Sequence, residues 1–160
     1  MNPATNIVVQ KARFRLVLAV RGRAEREYAV ALGRNRAANK TVEGDLATPL
    51  GDFYVCVKNP QSKYFLSLCL SYPNAAHARR GLTAGLITLA EHAQILEAVR
   101  LGRMPPQHTP LGGEIYIHGR GVAGRGSAAE STRGCIALDD ADMREVYDAA
   151  AIGTPVAIME

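Results

Sequence analysis

Two short alternating segments, separated by a stretch that cannot be a strand, constrain this chain more than any other feature. Ile115-Tyr116-Ile117-His118 and Ile136-Ala137-Leu138 carry apolar residues at every second position, the period of a half-buried strand. Between them lie Gly121, Gly124, Gly126, Ser127 and alanines, a composition that breaks a strand. A histidine therefore ends one strand, and Cys135 opens the next. Both are expected to meet across the mouth of the intervening loop.

A Cys–His pair has a definite chemical use. The thiolate is the nucleophile, and a nearby imidazole removes the thiol proton and stabilises the anion. Gly134 allows a substrate carbonyl to approach the backbone closely, so the N–H groups of Arg133, Gly134 and Cys135 form a candidate oxyanion hole. The plainer reading is open at this point: a cysteine before Ile-Ala-Leu is also a small buried hydrophobe.

Length, charge and cysteine usage bound the alternatives. The chain has 160 residues, which predicts one domain over residues 1–160. Its net charge of +4 comes from 19 basic and 15 acidic residues, and no dense Lys/Arg run or aromatic-interleaved basic strand is present. Nucleic-acid binding is therefore not expected. Arg120, Arg125 and Arg133 gather around the proposed site. No apolar run reaches membrane-span length, and the first residues lack the basic and apolar regions of a signal peptide. Of the three cysteines, Cys56 and Cys69 sit in strand-like runs and read as reduced core residues, with a Cys56–Cys69 disulfide as the alternative. Cys135 is free under either reading. No His, Cys or acidic spacing suits zinc, so no metal and no cofactor is expected.

The rest of the chain reads as a mainly β (α+β) domain with two helices. Ile7–Gln10 and Phe14–Val20 form strands around a turn at Lys11-Ala12-Arg13, and Arg26–Leu32 returns as a third, giving an antiparallel meander. Residues 33–46 are loop-like, and Thr48-Pro49-Leu50-Gly51 is turn chemistry with a structural role. Phe53–Val57 and Tyr64–Leu70 form the next strand pair. His77–Gly81 reads as a loop, with His77 on the surface. Thr88 and Glu91 form a capping box for a helix over Leu89–Leu101, its apolar face Ile95, Leu96 and Val99, and Gly102 ends it. Asp139-Asp140 opens a second helix over Ala141–Ala150, and Val156–Met159 is the last strand.

These motifs resemble, in order, those of the L,D-transpeptidase (YkuD-type) family. His118-Gly119 matches the family's first motif. Ser131, Gly134, Cys135 and Ile136 match its Ser-His-Gly-Cys-apolar motif. Thr48-Pro49-Leu50-Gly51-Asp52-Phe53 resembles its Thr-Pro-x-Gly-x-Phe segment, and Gly153-Thr154-Pro155-Val156-Ala157-Ile158 its closing strand. The resemblance runs from about Ile7 to Ile158. It implies a β-sandwich-like fold whose cleft holds the cysteine. It also implies a monomeric enzyme acting on peptidoglycan stem peptides in the periplasm or cell envelope, reached by a trimmed signal or another export route. Cys135 would be the nucleophile and His118 the base, oriented through the Gly119 carbonyl. The acceptor would be a second stem, a peptidoglycan-attached protein, or water.

Two departures bear on the outcome. Arg133 stands where the family has a second histidine, and Ala137 where an arginine often follows the cysteine. Arg133 cannot act as a base. It can lower the Cys135 thiol pKa, clamp a substrate carboxylate, or contribute only its backbone. Leu68–Asn74 resembles a branch that includes an amidase cutting protein–peptidoglycan links. The alternatives to transpeptidation are therefore an L,D-carboxypeptidase, an amidase, either one delivered as an effector to a neighbour's envelope, or a non-catalytic peptidoglycan-binding module.

Overall fold

A computed structural model describes residues 4–121 and 131–160. The first three strands, β1 (Thr5–Gln10), β2 (Arg15–Val20) and β3 (Arg26–Ala29), form the expected antiparallel meander. The third is shorter than the sequence suggests. The chain leaves the meander after Ala29, and Leu32–Gly33 becomes β4 of a separate two-stranded ribbon. Next come β5 (Gly51–Ser62) and β6 (Phe65–Leu70), then helices α1 (Ala75–Thr83) and α2 (Leu89–Arg100). Strands β7 (Tyr116–His118), β8 (Ser131–Thr132) and β9 (Ile136–Ala137), helix α3 (Asp140–Ala149) and strand β10 (Pro155–Met159) complete the chain.

Eight strands make one curled sheet in the order β3-β2-β1-β10-β5-β6-β7-β9, and β4 pairs with β8. The fold is thus mainly β, as expected, with three short helices rather than two. The closing strand β10 lies between β1 and β5, parallel to the first and antiparallel to the second, so the two ends of the chain join mid-sheet. The main core fills one face. Leu66, Leu68 and Leu70 alternate inward from β6, and α3 covers them with Met143 and Val146, all buried. Each such side chain contributes roughly 1.5–3 kcal/mol by leaving water. The odd-numbered neighbours Ser67 and Cys69 face the other side, where the cleft lies.

Helix α1 was not legible as a helix. Residues 77–81 read as a loop because His-Ala-Arg-Arg-Gly offers a single small apolar side chain and so no apolar face. The structure supplies what the pattern lacks: Asn74 caps the helix by accepting from the His77 N–H at 3.0 Å, and Gly81 lets it press against Leu111. Helices α1 and α2 then share a small core of Ala78, Ile87, Ile95 and Leu111. Helix α2 starts at Thr88 with the expected capping box, but Leu96, expected on its apolar face, is exposed.

Polar residues organise the stretch before β5. The buried Lys11 ammonium donates to the carbonyls of Ala38 and Thr48, and burial lowers its pKa. Buried Lys40 pairs with Asp45 at 3.0 Å. Burial works against the Asp45 charge, but N–H groups of Thr41, Val42 and Ala47 and the Lys40 ammonium outweigh it and hold the carboxyl below its usual range. The expected turn at Thr48-Pro49-Leu50-Gly51 does not form, since residues 48–50 run without a turn into β5, but Thr48 is structural all the same, its hydroxyl accepting from the Gly33 N–H at 2.9 Å. Cys56 and Cys69 are free thiols.

His77 is buried, not on the surface, with Nδ1 bonded to Asn74 Oδ1 at 2.6 Å. Burial, with Arg80 and Lys40 nearby, pulls its pKa down to about 3 from 6.5. The unfolded chain therefore takes up a proton near pH 6.5 that the folded chain refuses until about pH 3. Stability is full above pH 6.5 and falls below it, by up to about 1.4 kcal/mol per pH unit for this group. We predict that His77→Gln loses less melting temperature than wild type between pH 6 and pH 4. Equal losses in the two proteins would remove His77 as the cause.

Candidate active site

A cleft of about 820 Å³ opens on the sheet face opposite α3, lined among others by Arg34, Ser67, Glu114, Tyr116, His118, Arg133, Cys135 and Ala137. The cleft contains both His118 and Cys135, for a reason that differs from the one the sequence suggests. Strands β7 and β9 are parallel, with Ile117 opposite Ile136 and His118 opposite Ala137. In a parallel pair the end of one strand and the start of the next do not share a loop mouth. Continuing the register puts Cys135 level with Tyr116, two residues before His118, an offset of roughly 6–7 Å along the strand. Period-two alternation then turns Tyr116, His118, Cys135 and Ala137 to the cleft, and Ile117 and Ile136 to the core.

His118 is nearly buried, at 8% exposed, and stacks on Tyr64 with ring centroids 4.5 Å apart. Its Nδ1 is 2.5 Å from the Gly119 carbonyl oxygen, which can only accept, so Nδ1 carries the hydrogen. Nε2 is left as the basic nitrogen. Burial lowers the pKa of the ring, against the pull of the Gly119 bond, and the Arg120 guanidinium lowers it further. The imidazole is therefore neutral at neutral pH.

The half-buried Cys135 thiol donates to the Glu114 carbonyl at 3.3 Å. Burial pushes its pKa up to about 11, the Tyr116 N–H resists, Glu114 adds to the rise and Lys40 opposes it. The resting pair is thus a neutral thiol and a neutral imidazole. A thiol in this state could attack only by losing its proton, and the free imidazole nitrogen in the same cleft is of a kind able to take one.

The turn into Cys135 is set by Thr132 and Gly134. The Thr132 hydroxyl donates to the Cys135 carbonyl at 2.7 Å and accepts from the Gly134 N–H at 3.0 Å. Gly134 has φ +138, and a Cβ there would lie 2.9 Å from the Ala47 carbonyl oxygen, so only glycine fits. Of the three N–H groups named for the oxyanion, that of Gly134 is thus engaged within the turn. Arg133 is exposed and lines the cleft, Arg120 pairs with Asp139 at 2.7 Å, and Arg125 lies outside the described residues.

Several contributors escaped sequence reasoning. Glu114 acts through its carbonyl, which no side chain advertises. Tyr64 reaches His118 from across the sheet. Arg34 arrives because β4 runs parallel to β8, placing its N–H on the Thr132 carbonyl at 2.9 Å. Thr132 alone had a local signal, a threonine placed to bond the backbone two or three residues on.

Comparison with known proteins agrees with this picture. The family model described as the L,D-transpeptidase catalytic domain, YkuD, matches residues 4–158. No curated protein sequence matches the chain. Among solved structures, the helical cell shape determining protein Pgp2 from Campylobacter jejuni is 22% identical with a TM-score of 0.64, covering 98% of this chain and 48% of its own. L,D-transpeptidase 1 of Mycobacterium tuberculosis is 13% identical with a TM-score of 0.54, over 98% of this chain and 62% of its own. A complex of the LD transpeptidase LdtMt1 with imipenem is 14% identical with a TM-score of 0.54, over 98% and 59%. The chain therefore spans about half the length of the first of these proteins, and the likeness lies in the fold. With the family model matching nearly its whole length, the chain belongs to the YkuD family of L,D-transpeptidase catalytic domains.

Proposed function

We propose that the chain is a cysteine-dependent L,D-transpeptidase acting on peptidoglycan stem peptides in the cell envelope. The observation that carries this reading is the anchored His118. With Nδ1 committed to the Gly119 carbonyl, Nε2 is the base, and it shares the cleft with the Cys135 thiol. On substrate binding, the Cys135 proton passes to His118 Nε2 as sulfur bonds to the donor carbonyl carbon. The oxyanion is held by backbone N–H groups at Arg133 and Cys135. Its collapse breaks the C–N bond, and the leaving amine takes the proton from His118. The thioester is then attacked by an acceptor amine, which gives a proton to His118, and the Cys135 thiolate leaves and recovers it.

Arg133 is the residue we assign to donor binding. Its guanidinium is a planar fork suited to a carboxylate. Among the described residues, the charges that act on the Cys135 thiol are those of Glu114 and Lys40, which favours the clamp over a role for Arg133 in lowering the thiol pKa. Hydrolysis is the second reading, favoured by the Leu68–Asn74 resemblance. Incubation with purified muropeptides separates them by product mass: cross-linked or exchanged stems mark transfer, and trimmed stems mark a carboxypeptidase. Neither product from the folded protein would leave a binding module.

Cys135→Ala is expected to abolish turnover, and His118→Ala to lower it at least about a hundredfold. The double variant should be little worse than Cys135→Ala, because residues acting as a unit are not additive. Full activity in Cys135→Ala would end the proposal.

Imipenem is expected to add once to the intact protein, on the peptide containing Cys135, because its strained amide imitates the donor carbonyl. The solved complex of a family member with imipenem supports the choice of probe. Mass mapping that found the adduct on Cys56 or Cys69 would count against the site.

Arg133→Gln should raise KM for a carboxylate-bearing donor with little change in kcat or in the pH at which Cys135 is alkylated. An altered alkylation profile with unchanged KM would give Arg133 the electrostatic role instead.

A further inference from the structure

His118 is oriented by a carbonyl, and that carbonyl has a second end. The Gly119 C=O and the Arg120 N–H belong to one peptide group. The Arg120 N–H donates to Asp140 Oδ1 at 2.7 Å, and the next N–H, that of Gly121, donates to the same oxygen at 3.0 Å. Asp140 is the first residue of α3, a helix otherwise occupied with covering the core. Gly119 makes the approach possible: a Cβ there would lie 2.6 Å from Asp140 Oδ1 and 2.8 Å from the Tyr64 carbonyl oxygen.

We propose that Asp140 is the positioning residue for His118, acting through the Gly119–Arg120 peptide group. The assignment rests on the reading of His118 as the base. One effect is geometric. Two N–H groups on one carboxylate oxygen fix the tilt of the peptide plane, and so the direction in which its carbonyl meets Nδ1. The other is electronic. A carboxylate bonded to the N–H end of an amide pushes electron density toward the amide's carbonyl oxygen, which becomes a better acceptor, as in any hydrogen-bonded chain of polar groups. The imidazolium formed when Nε2 takes the Cys135 proton is then stabilised by a negative charge it never touches. A carboxylate that directly bonds imidazole does the same work in serine enzymes with a Ser-His-Asp triad. Here one peptide group is interposed.

The other groups around His118 do not supply this. From the same loop, Arg120 opposes the imidazolium, although Asp139 partly neutralises it at 2.7 Å. From just before β9 comes the Cys135 thiol, and the same cleft is lined by the Glu114 carboxylate and the Arg34 and Arg133 guanidiniums. From β6 and the turn before it come the uncharged Ser67 and the ring of Tyr64, the latter with the Lys63 ammonium 5.2 Å from its centroid. Asp140 therefore provides the negative charge tied by hydrogen bonds to the His118 anchor.

The test reads His118 directly, by nitrogen NMR of the imidazoles, with the His118 signals identified from their loss in His118→Ala. Wild type should show hydrogen on Nδ1. Asp140→Asn keeps an acceptor oxygen and removes the charge. It should keep that tautomer, titrate His118 at a lower pH than wild type, and slow iodoacetamide alkylation mapped to Cys135 by up to about tenfold for each pH unit by which that titration falls. Asp140→Ala removes the acceptor as well. It should mix the tautomers and slow alkylation further than Asp140→Asn does. If both variants keep the wild-type tautomer and the wild-type titration midpoint, the proposal is overturned, whatever their activity. Should Asp140→Ala fail to fold, the Asp140→Asn titration decides alone. None of these readouts needs a peptidoglycan substrate. A wild-type protein inert toward muropeptides, with His118 shifted as described, would remove the transpeptidase reading and leave Asp140 in its role.

Discussion

The parallel register of β7 and β9 is the constraint on which the rest of the structure turns. Those strands are three and two residues long, too short to be stable as a pair. They persist because β6 flanks β7 and because Ala31 bridges to Ala137 with reciprocal backbone bonds of 2.9 Å. A slip of one residue would turn His118 or Cys135 into the core and Ile117 or Ile136 into the cleft. The fully buried isoleucines therefore hold the register as firmly as any polar contact in the site.

Around that register the supports come from distant parts of the chain. Ala47 packs its carbonyl against Gly134, and the neighbouring Thr48 holds Gly33, so one segment backs both the Cys135 approach and β4. That segment is itself tied down by the buried ammonium of Lys11. On the other side, Asp140 draws the chain after His118 onto the start of α3. Buried charges are costly unless bonded, and the ammonium groups of Lys11 and Lys40 are both bonded to the stretch before β5.

The β-rich fold, the α2 capping box, α3 and the closing strand could be read from the sequence because each rests on local period or capping chemistry. The segment 75–83 could not, since its helix is decided by packing on Leu111 and by a cap at Asn74. The break of β3 at Ala29 was hidden too, because the apolar alternation runs on while the chain changes sheets. For the candidate site, residue types and motif order pointed to His118, Gly119 and Cys135. What they could not give was strand direction. An end-of-strand histidine and a start-of-strand cysteine look the same in sequence whether the pair is parallel or antiparallel. Contributions made through backbone, such as the carbonyl of Glu114, leave no mark on residue choice, and Arg34 enters through a ribbon pairing of strands two residues long.

Parallel neighbours cannot be joined by a tight turn; the chain must travel back the length of the strand, which takes about a dozen residues or more. The glycine-rich stretch between Gly119 and Cys135 is therefore a topological debt of the β7–β9 pair. Such a stretch must first of all span that distance, whereas Gly119, Thr132 and Gly134 toward its two ends are each held to their residue type by a close approach or a hydrogen bond. A comparison that scored the region by average similarity alone would pass over those fixed residues and so overlook the cleft they border.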